Sequence, residues 1–452
     1  MERQKTALVV GMARSGTASA KLLYRNGYKV IINDTKRDIP GLFEALGDME
    51  FTSALGAPVE AFIDGIDLMV LSPVVPMARQ FVQTALNNGV EVIGEIELGY
   101  RYCDRGSVFV CIGGTNGKTT TTALTGEIFK RAGKNTYVLG NIGIPICEHA
   151  MDVKAGDYLV VETASLQLES IADFRANAAG LLNITEDHIN RFGSMEAYIE
   201  AKARMFENQR PEDYAVLNYD DPIVRDMARR TKAKVVYLST ERILDEGICL
   251  RGSRMVWRMD GREQEIIDVG ELKIPGEHNV QNALCASALA LCMGVELPPL
   301  REALAEFPGV EHRIEFVREK NGVYYINDSK GTNPDSTIKA VRAMSRPTIL
   351  LLGVGEYDKY SDFEPLFREF DGKVKAVIVS GITVPEVLDA ARKTGYPNVS
   401  VCDGGLKEMV QMARKLASPG DAVLLSPAAA SWGMFDDFEH RGRVFKEIVR
   451  KL

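Results

Sequence analysis

The sequence of 452 residues lacks several features that would assign it to a broad class. Its seven cysteines include no C-x-x-C pair, and several lie in apolar runs, which predicts reduced, buried thiols in a cytoplasmic protein. It has no basic excess, because its formal net charge is −8, and this argues against a nucleic-acid partner. No apolar run is long enough to span a bilayer, and no secretory segment precedes the first predicted strand, so we expect no membrane partner.

What is present is typical of a globular protein, with 46% hydrophobic and 26% charged residues. Strand and helix patterns alternate along the whole chain, which predicts an α/β fold of three domains. We expect a Rossmann-like domain at 1–105, a central P-loop domain with a mononucleotide-binding parallel sheet at 106–309, and a second Rossmann-like domain at 310–452. Nothing in the sequence requires more than a monomer.

The first segment begins with a β-α-β pattern of the dinucleotide-binding kind. Strands are predicted at 5–10, 28–33 and 68–71, and a helix at 17–26. Ala13 replaces the second glycine of the NAD fingerprint, which disfavours NAD. Polar residues follow two of the strands, where ligands bind in open α/β sheets; they are Asp34, Thr35, Lys36 and Ser72.

The stretch VFVCIGGTNGKTTTTA, residues 108–123, predicts a phosphate-binding loop between a buried strand and a helix. Its glycines allow a tight turn that points N–H groups at an anion, and the helix N-terminus favours the same charge. Lys118 would supply a cation for the β- and γ-phosphates, and Thr119 a hydroxyl for Mg²⁺. Ile112 stands where the longer P-loop pattern has its first glycine, which leaves the short form G-T-N-G-K-T.

Two further residues of the central segment are candidate metal ligands. Glu162 ends a predicted strand at 157–162, and His188 follows one at 179–184. Lys202 lies on the helix that comes next. Further strands are predicted at 214–218 and 234–238, then a β-rich excursion at 241–271 and a long apolar helix.

The third segment restarts the alternation, with strands predicted at 323–327, 348–352, 374–379, 399–402 and 422–425. Small, polar or cationic residues follow three of these strands, which is typical of an anion-binding rim. This composition, without a phosphate loop of its own, predicts an acceptor-substrate domain.

In their order and spacing, GTNGKTT, GNIG, NITEDH with a downstream AKARMF, GEHNVQNA, EHR and NDSKGTNPDST resemble the Mur ligases. This resemblance covers essentially the whole chain. It implies an ATP-dependent ligase that forms amide bonds in cytoplasmic peptidoglycan precursor synthesis, through an acyl phosphate. The ending SPAAASWGMFDDFEHRG, together with DSKGTN, is similar to the members that add D-glutamate to UDP-N-acetylmuramoyl-L-alanine. The D-N-P-R signature of the members that add diaminopimelate or lysine is absent.

The resemblance also implies a role for each matching residue. Catalysis would rest on Lys118, His188 and Lys202. ATP would contact Gly114, Thr115, Asn116, Gly117, Lys118, Thr119, Thr120, Asn282, Arg313 and Asp328. Two Mg²⁺ sites would use Thr119, Glu162, His188 and Lys202, the last as a carbamate formed with CO₂. The UDP-sugar would contact Ser15, Thr35, Lys36, Ser72, Asn141 and Gln167. D-glutamate would contact Lys330, Thr332, Lys359, Ser431, Trp432 and Phe438. The chain departs from the family pattern at Ala164, Asn190 and Trp432.

Three other functions stay open at this point. One is a Mur-type or folylpolyglutamate-like ligase with a different acceptor amino acid. Another is a nicotinamide-dependent oxidoreductase that uses the N-terminal β-α-β unit, against which Ala13 argues. The third is a regulatory nucleotide-binding module without ligase activity.

Overall fold

The computed structural model describes residues 3–274, 276–355, 362–431 and 433–452, without the side chain of Asn190. In these ranges the chain is α/β, as predicted, and contains three sheets. It divides into two compact units, one of Met1–Lys273 and Glu277–Phe307 and one of Ile274–Gly276 and Pro308–Leu452. No helix in the described ranges has the length and apolar character needed to cross a membrane.

The first unit begins with a parallel sheet of strand order β3-β2-β1-β4-β5. Its strands are β1 (Thr6–Val10), β2 (Lys29–Asp34), β3 (Phe51–Leu55), β4 (Leu68–Leu71) and β5 (Glu91–Gly94). Its helices are α1 (Arg14–Arg25), α2 (Leu42–Leu46), α3 (Gln80–Asn87) and α4 (Glu95–Tyr102). The strand order reverses beside β1, so the ends of β1, β2 and β4 form a crevice of the kind that binds ligands.

The prediction for α1 was wrong at its start, because the helix begins at Arg14, within the segment that was predicted to be a turn, rather than at residue 17. Gly16 makes this early start possible. A Cβ atom on Gly16 would lie 1.9 Å from the carbonyl oxygen of Gly11, so only glycine lets the first turn pack against the end of β1.

The second sheet of this unit has the order β14-β13-β12-β11-β10-β9-β6-β8-β7. Its strands are β6 (Val108–Gly113), β7 (Thr136–Gly140), β8 (Tyr158–Glu162), β9 (Ala178–Leu181), β10 (Tyr214–Asn218), β11 (Lys234–Ser239), β12 (Gly247–Arg251), β13 (Arg254–Met259) and β14 (Arg262–Asp268). The pairs are parallel from β7 to β12, whereas β13 and β14 are antiparallel, which confirms the mostly parallel sheet and the β-rich excursion.

Helices cover this sheet, and the predicted long apolar helix is present as α11, which packs against α5. The helices are α5 (Lys118–Arg131), α6 (Ile146–His149), α7 (Ser165–Leu168), α8 (Ile189–Phe192), α9 (Met195–Ala203), α10 (Pro222–Asp226), α11 (Glu277–Cys292) and α12 (Leu297–Glu306). The predicted strand at 179–184 is shorter, because the chain leaves the sheet after Leu181.

The second unit contains a sheet of order β15-β16-β20-β17-β18-β19, in which β15 is antiparallel to β16 and the other pairs are parallel. Its strands are β15 (Glu315–Lys320), β16 (Val323–Asn327), β17 (Thr348–Gly353), β18 (Val374–Ser380), β19 (Val399–Val401) and β20 (Ala422–Leu425). Its helices are α13 (Pro334–Ala343), α14 (Glu364–Arg368), α15 (Val384–Thr394), α16 (Leu406–Leu416) and α17 (Phe438–Arg450). Buried apolar clusters lie on both faces of the sheet.

Candidate active site

The predicted phosphate loop connects β6 to α5, whose first residue is Lys118. Gly117 has a φ of 83°, a left-handed conformation that favours glycine. A Cβ atom there would also lie 2.3 Å from Oδ1 of Asn282, so the predicted ATP contact Asn282 packs directly on the loop. The turn and the start of α5 are therefore built as an anion site requires.

Two lysine side chains bind the same carbonyl oxygen of this loop. Nζ of Lys118 donates to the carbonyl oxygens of Gly114 and Thr115, both at 2.9 Å. Nζ of Lys202 donates to Gly114 O at 2.9 Å. The structure thus brings together two predicted catalytic residues that are 84 positions apart in the chain.

Lys202 is buried, with Nζ 4.6 Å from the centre of the Tyr198 ring. Burial lowers the pKa of the Lys202 ammonium well below its ordinary value, and the nearby charge of Lys118 lowers it further. A larger fraction of the side chain is therefore neutral than on an exposed lysine.

Glu162, the last residue of β8, is buried and carries one unsatisfied oxygen. Its Oε1 accepts a hydrogen bond from Nδ2 of Asn141 at 2.9 Å, whereas Oε2 is buried without a partner in the described part of the chain. Glu162 pairs in register with Ile112 on β6, so its carboxylate lies at the carboxyl ends of these strands, where the phosphate loop begins. Asn141, predicted to contact the UDP-sugar, thus lies against a predicted metal ligand.

His188 lies on the segment between β9 and α9, which packs on the phosphate loop through other residues. His188 caps α8 with a φ of 55°, and its side chain is half exposed. Asn183 accepts the N–H of Asn116 on Oδ1 at 2.8 Å, and its carbonyl accepts the N–H of Thr115 at 2.9 Å. The Tyr198 hydroxyl is 3.1 Å from Oγ1 of Thr115.

Asn183 and Tyr198 were not predicted as site residues. A signal for Asn183 was available, because it begins the NITEDH stretch. Tyr198 lies one helical turn before Lys202, a spacing that places both side chains on one face of α9.

The predicted UDP-sugar contacts of the N-terminal sheet lie around the ends of β1, β2 and β4. Ser72 is buried, and its Cβ would be 2.6 Å from a Cβ atom on Gly11. The Asp34 carboxylate accepts the N–H groups of Met12 at 2.8 Å and Lys36 at 3.0 Å, which ties the two turns together.

The other members of this set differ in exposure. Thr35 and Lys36 are exposed, and Ser15 is half-buried in α1. Gln167 is buried on α7 and accepts the N–H of Ala164 at 3.0 Å, which holds the start of that helix.

In the second unit, the predicted ATP contact Asp328 follows β16 and is buried. Its carboxylate accepts hydrogen bonds from Oγ of Ser426 at 2.6 Å and from the N–H of Ile314 at 3.2 Å. Burial raises the pKa of Asp328 to about 6, although the Ser426 hydrogen bond and the charge of Arg313, another predicted ATP contact, act in the opposite direction.

The predicted D-glutamate contacts that the structure describes lie around the strand ends of the same sheet. Nζ of Lys330 is 5.7 Å from the centre of the Phe438 ring, and the N–H of Thr332 donates to Lys330 O at 2.9 Å. Ser431 is buried. Lys359 and Trp432 lie outside the described residues.

Arg441 connects three of these strand-end loops and was not predicted. Its fully buried guanidinium donates to Ser329 through Oγ at 3.0 Å and the carbonyl oxygen at 2.9 Å, and to the carbonyl oxygens of Val354 at 3.2 Å and Ala429 at 3.1 Å. Burial lowers the pKa of Arg441 to about 9. Its position in EHRG, on α17, gives no indication of these partners.

Three family models match the chain in sequence. The Mur ligase MurD-like N-terminal domain matches residues 5–94, the Mur ligase middle domain matches 112–290, and the Mur ligase glutamate ligase domain matches 312–429.

Among curated relatives, the chain is 44% identical to the UDP-N-acetylmuramoylalanine--D-glutamate ligase of Alkaliphilus oremlandii, over 100% of this chain and 99% of that one. It is 41% identical to the ligase of the same name from Clostridioides difficile, over 99% of each chain.

Solved structures agree in fold. The UDP-N-acetylmuramate-alanine ligase MurC of Thermotoga maritima matches with a TM-score of 0.60 at 19% identity, over 99% of this chain and 100% of that chain. E. coli FolC in complex with DHPP and ADP matches with a TM-score of 0.57 at 15% identity, over 79% and 92%. With the family models and the identity to full-length relatives, these results establish that the chain belongs to the Mur ligase family.

Proposed function

We propose that the protein is an ATP-dependent ligase that joins D-glutamate to UDP-N-acetylmuramoyl-L-alanine in peptidoglycan precursor synthesis. The observation that carries the ligase chemistry is that Nζ of Lys118 and Nζ of Lys202 both bind the carbonyl oxygen of Gly114. Glu162 lies at the carboxyl ends of the same parallel strands. The acceptor is supported by relatives of the same length that are named for D-glutamate.

The residues present fit ATP and Mg²⁺. The Glu162 oxygen without a partner in the described residues is a hard anionic ligand of the kind that Mg²⁺ takes, and Thr119 is the second residue of the helix that follows the loop. Asn282 packs on Gly117. The side chain of Asn183 accepts the N–H of Asn116, and its main-chain carbonyl accepts the N–H of Thr115. These contacts fix the loop before a nucleotide binds.

In the proposed reaction, the carboxylate of the UDP-sugar attacks the γ-phosphorus of ATP. The bond from that phosphorus to the leaving oxygen of ADP breaks, and an acyl phosphate forms. The amine of D-glutamate then attacks the acyl carbon, the carbon–oxygen bond to phosphate breaks, and the amine loses a proton. When bound, Mg²⁺ supplies positive charge that offsets the charge on the phosphate oxygens.

The chain's own contribution is charge and orientation. The Lys118 ammonium would move from its loop carbonyls to the β- and γ-phosphates, and loop N–H groups would orient them. Lys330 and Lys359 would pair with the two carboxylates of D-glutamate, with Thr332, Ser431, Trp432 and Phe438 around them. The UDP-sugar would lie along Ser15, Thr35, Lys36, Ser72, Asn141 and Gln167.

A second metal site would use His188 and Lys202, with Lys202 converted to a carbamate. Only a neutral amine adds to CO₂, and burial beside Lys118 favours the neutral form of Lys202. The product carries an oxygen anion in place of an ammonium, which turns a group that repels cations into a ligand for one.

The organisation of the molecule belongs to the same proposal. The UDP-sugar would bind the domain at 1–105, ATP the domain at 106–309, and D-glutamate the domain at 310–452. We also propose that the enzyme acts in the cytoplasm as a monomer.

The experiment is phosphate release with ATP, Mg²⁺ and UDP-N-acetylmuramoyl-L-alanine, with D-glutamate compared against L-glutamate, L-alanine, L-lysine and meso-diaminopimelate. Release with D-glutamate alone is expected. Release with another amino acid would establish the alternative, a Mur-type or folylpolyglutamate-like ligase with a different acceptor. No release with any of them would refute the ligase assignment.

A further inference from the structure

Arg191, on α8, connects two segments on which the proposed substrate site depends. Its Nη1 donates to the carbonyl oxygen of Val74 at 3.1 Å, and its Nη2 to that of Val75 at 3.2 Å. The same Nη2 contacts the carboxylate of Glu169. The side chain is 13% exposed, so these contacts are formed largely out of water.

The loop that Arg191 binds begins at Ser72, a proposed contact of the UDP-sugar. Ser72 itself is fixed, because its N–H donates to Val10 O at 2.9 Å. The N–H of Val75 closes a turn on Ser72 O at 2.9 Å, but the Val74 side chain is 73% exposed and adds little packing. The Val75 side chain packs against the buried apolar cluster of the N-terminal sheet, and the Arg191 hydrogen bonds fix the carbonyl oxygens of Val74 and Val75 in addition.

Arg191 itself and its partner Glu169 lie close in the chain to a proposed metal ligand, His188, and to a proposed UDP-sugar contact, Gln167. The N–H of Arg191 donates to His188 O at 2.9 Å, so the two residues share one turn. Glu169 directly follows α7, which carries Gln167, and its carbonyl oxygen accepts a hydrogen bond from Arg204 at 2.6 Å. The main chain of Arg191 is thus tied to His188, and its ion-pair partner Glu169 is tied to Arg204.

We propose that Arg191 is a positioning residue for the UDP-sugar, which holds the loop of residues 72–75 in register with α7 and α8. The inference rests on the proposed function, because the proposed function is what assigns the UDP-sugar to the loop of residues 72–75. A guanidinium reaches two adjacent carbonyl oxygens and a carboxylate at once, whereas an ammonium has one nitrogen and cannot span them.

The test compares Arg191→Lys with the matched control Arg230→Lys, which alters an exposed arginine of the same unit paired with Glu200. In Arg191→Lys we expect the KM for the UDP-sugar to rise about tenfold, equal to about 1.4 kcal/mol, while the KM for ATP stays within about twofold. Amide hydrogen exchange in the peptide of residues 72–77 should accelerate. The control should match the wild type in all three measurements.

A double-mutant cycle with Glu169→Gln supplies a second variant, and its coupling to Arg191→Lys should be clearly non-additive in the KM for the UDP-sugar. If the wild type turns over and Arg191→Lys keeps both KM values and the exchange rates, the inference is wrong. A lowered melting temperature with unchanged KM values would also overturn it, since that marks a purely structural role. If the wild type releases no phosphate, the proposed function fails, and the exchange rates at 72–77 alone decide whether Arg191 holds the loop.

Discussion

Glu95 offers a stability prediction that is independent of catalysis. It is the first residue of α4 and is fully buried, and its Oε1 accepts the N–H of Cys147 at 2.8 Å. Its Oε2 is buried without a partner in the described residues. Burial raises the pKa of Glu95 to about 7, against the hydrogen bonds from Cys147, which act to lower it. The surrounding groups are Cys103, Cys147 and Ser19, which bring no cation.

The sign of the effect follows from the raised pKa. Below pH 4.5 both the folded and the unfolded state hold the proton, so Glu95 does not change the free energy of unfolding. As the pH rises from 4.5 towards 7, the unfolded state releases the proton first, and the folded state loses stability. A shift from 4.5 to about 7 corresponds to a loss of ~3 kcal/mol, complete above pH 7.

The perturbation is Glu95→Gln, which removes the titration and keeps the size. The amide places a buried N–H₂ group where Oε2 has no partner, and this costs about 1–3 kcal/mol at every pH. The informative quantity is therefore the melting temperature of the variant minus that of the wild type, measured as a function of pH. About three quarters of the ~3 kcal/mol loss falls between pH 5 and pH 8, and at roughly 2 cal/mol/K per residue for the first unit it corresponds to an increase of about 4 °C over that window.

The assay is a calorimetric scan of both proteins at half-unit steps from pH 5 to pH 8. Glu97→Gln is the contrast on the same helix, because Glu97 accepts hydrogen bonds from the N–H groups of Ala172, Asp173 and Phe174. It should lower the melting temperature at pH 7.5, since an amide nitrogen would face those donors. A Glu95→Gln difference that is constant with pH, or that decreases, would refute the reasoning.

Four further predictions concern the site. Lys118→Ala should lower phosphate release at least about a hundredfold with an unchanged melting temperature; an active, folded variant contradicts the phosphate role. Glu162→Gln should raise the Mg²⁺ concentration for half-maximal activity at least about tenfold, and an unchanged value would remove Glu162 as a ligand. Carbon-13 NMR with labelled bicarbonate should show a carbamate signal that Lys202→Arg abolishes; a signal in both would place it elsewhere. Arg441→Lys should lower the free energy of unfolding of the second unit by ~3 kcal/mol in urea, and a loss under ~0.5 kcal/mol would contradict the bridging role.

The sequence predicted the interior strands well and missed four strands at the sheet edges, although it predicted the edge strand β19. The patterns do not identify β3, β5, β7 or β15, and each of these is the outermost strand of its sheet. An interior parallel strand is covered on both faces and appears as a continuous apolar run, such as Leu68–Leu71. An edge strand is half exposed and needs no such run, as Phe51–Leu55 illustrates, where Thr52 and Ser53 are exposed.

The position of a predicted site residue follows from the sequence where its motif lies next to a predicted strand. Lys118 and Thr119 belong to one short motif, and Glu162 ends an apolar strand, so their places at the carboxyl ends of the strands follow from the strand pattern. The convergence of Lys202 with Lys118 on Gly114 does not follow from spacing. It depends on how α9 packs after β9 ends, and the prediction extended that strand by three residues too many.

The residues that were missed share a physical reason. Asn183, Arg191 and Arg441 each bind main-chain groups of loops far away in sequence. A carbonyl oxygen or N–H group is present at nearly every position, so the partner of such a side chain leaves no trace in the amino-acid sequence. Strand ends supply the reactive groups of this fold, but separate polar side chains set the paths of the loops that carry them. A ligase that must align three substrates depends on both sets, because a small displacement of a loop misplaces a reacting atom.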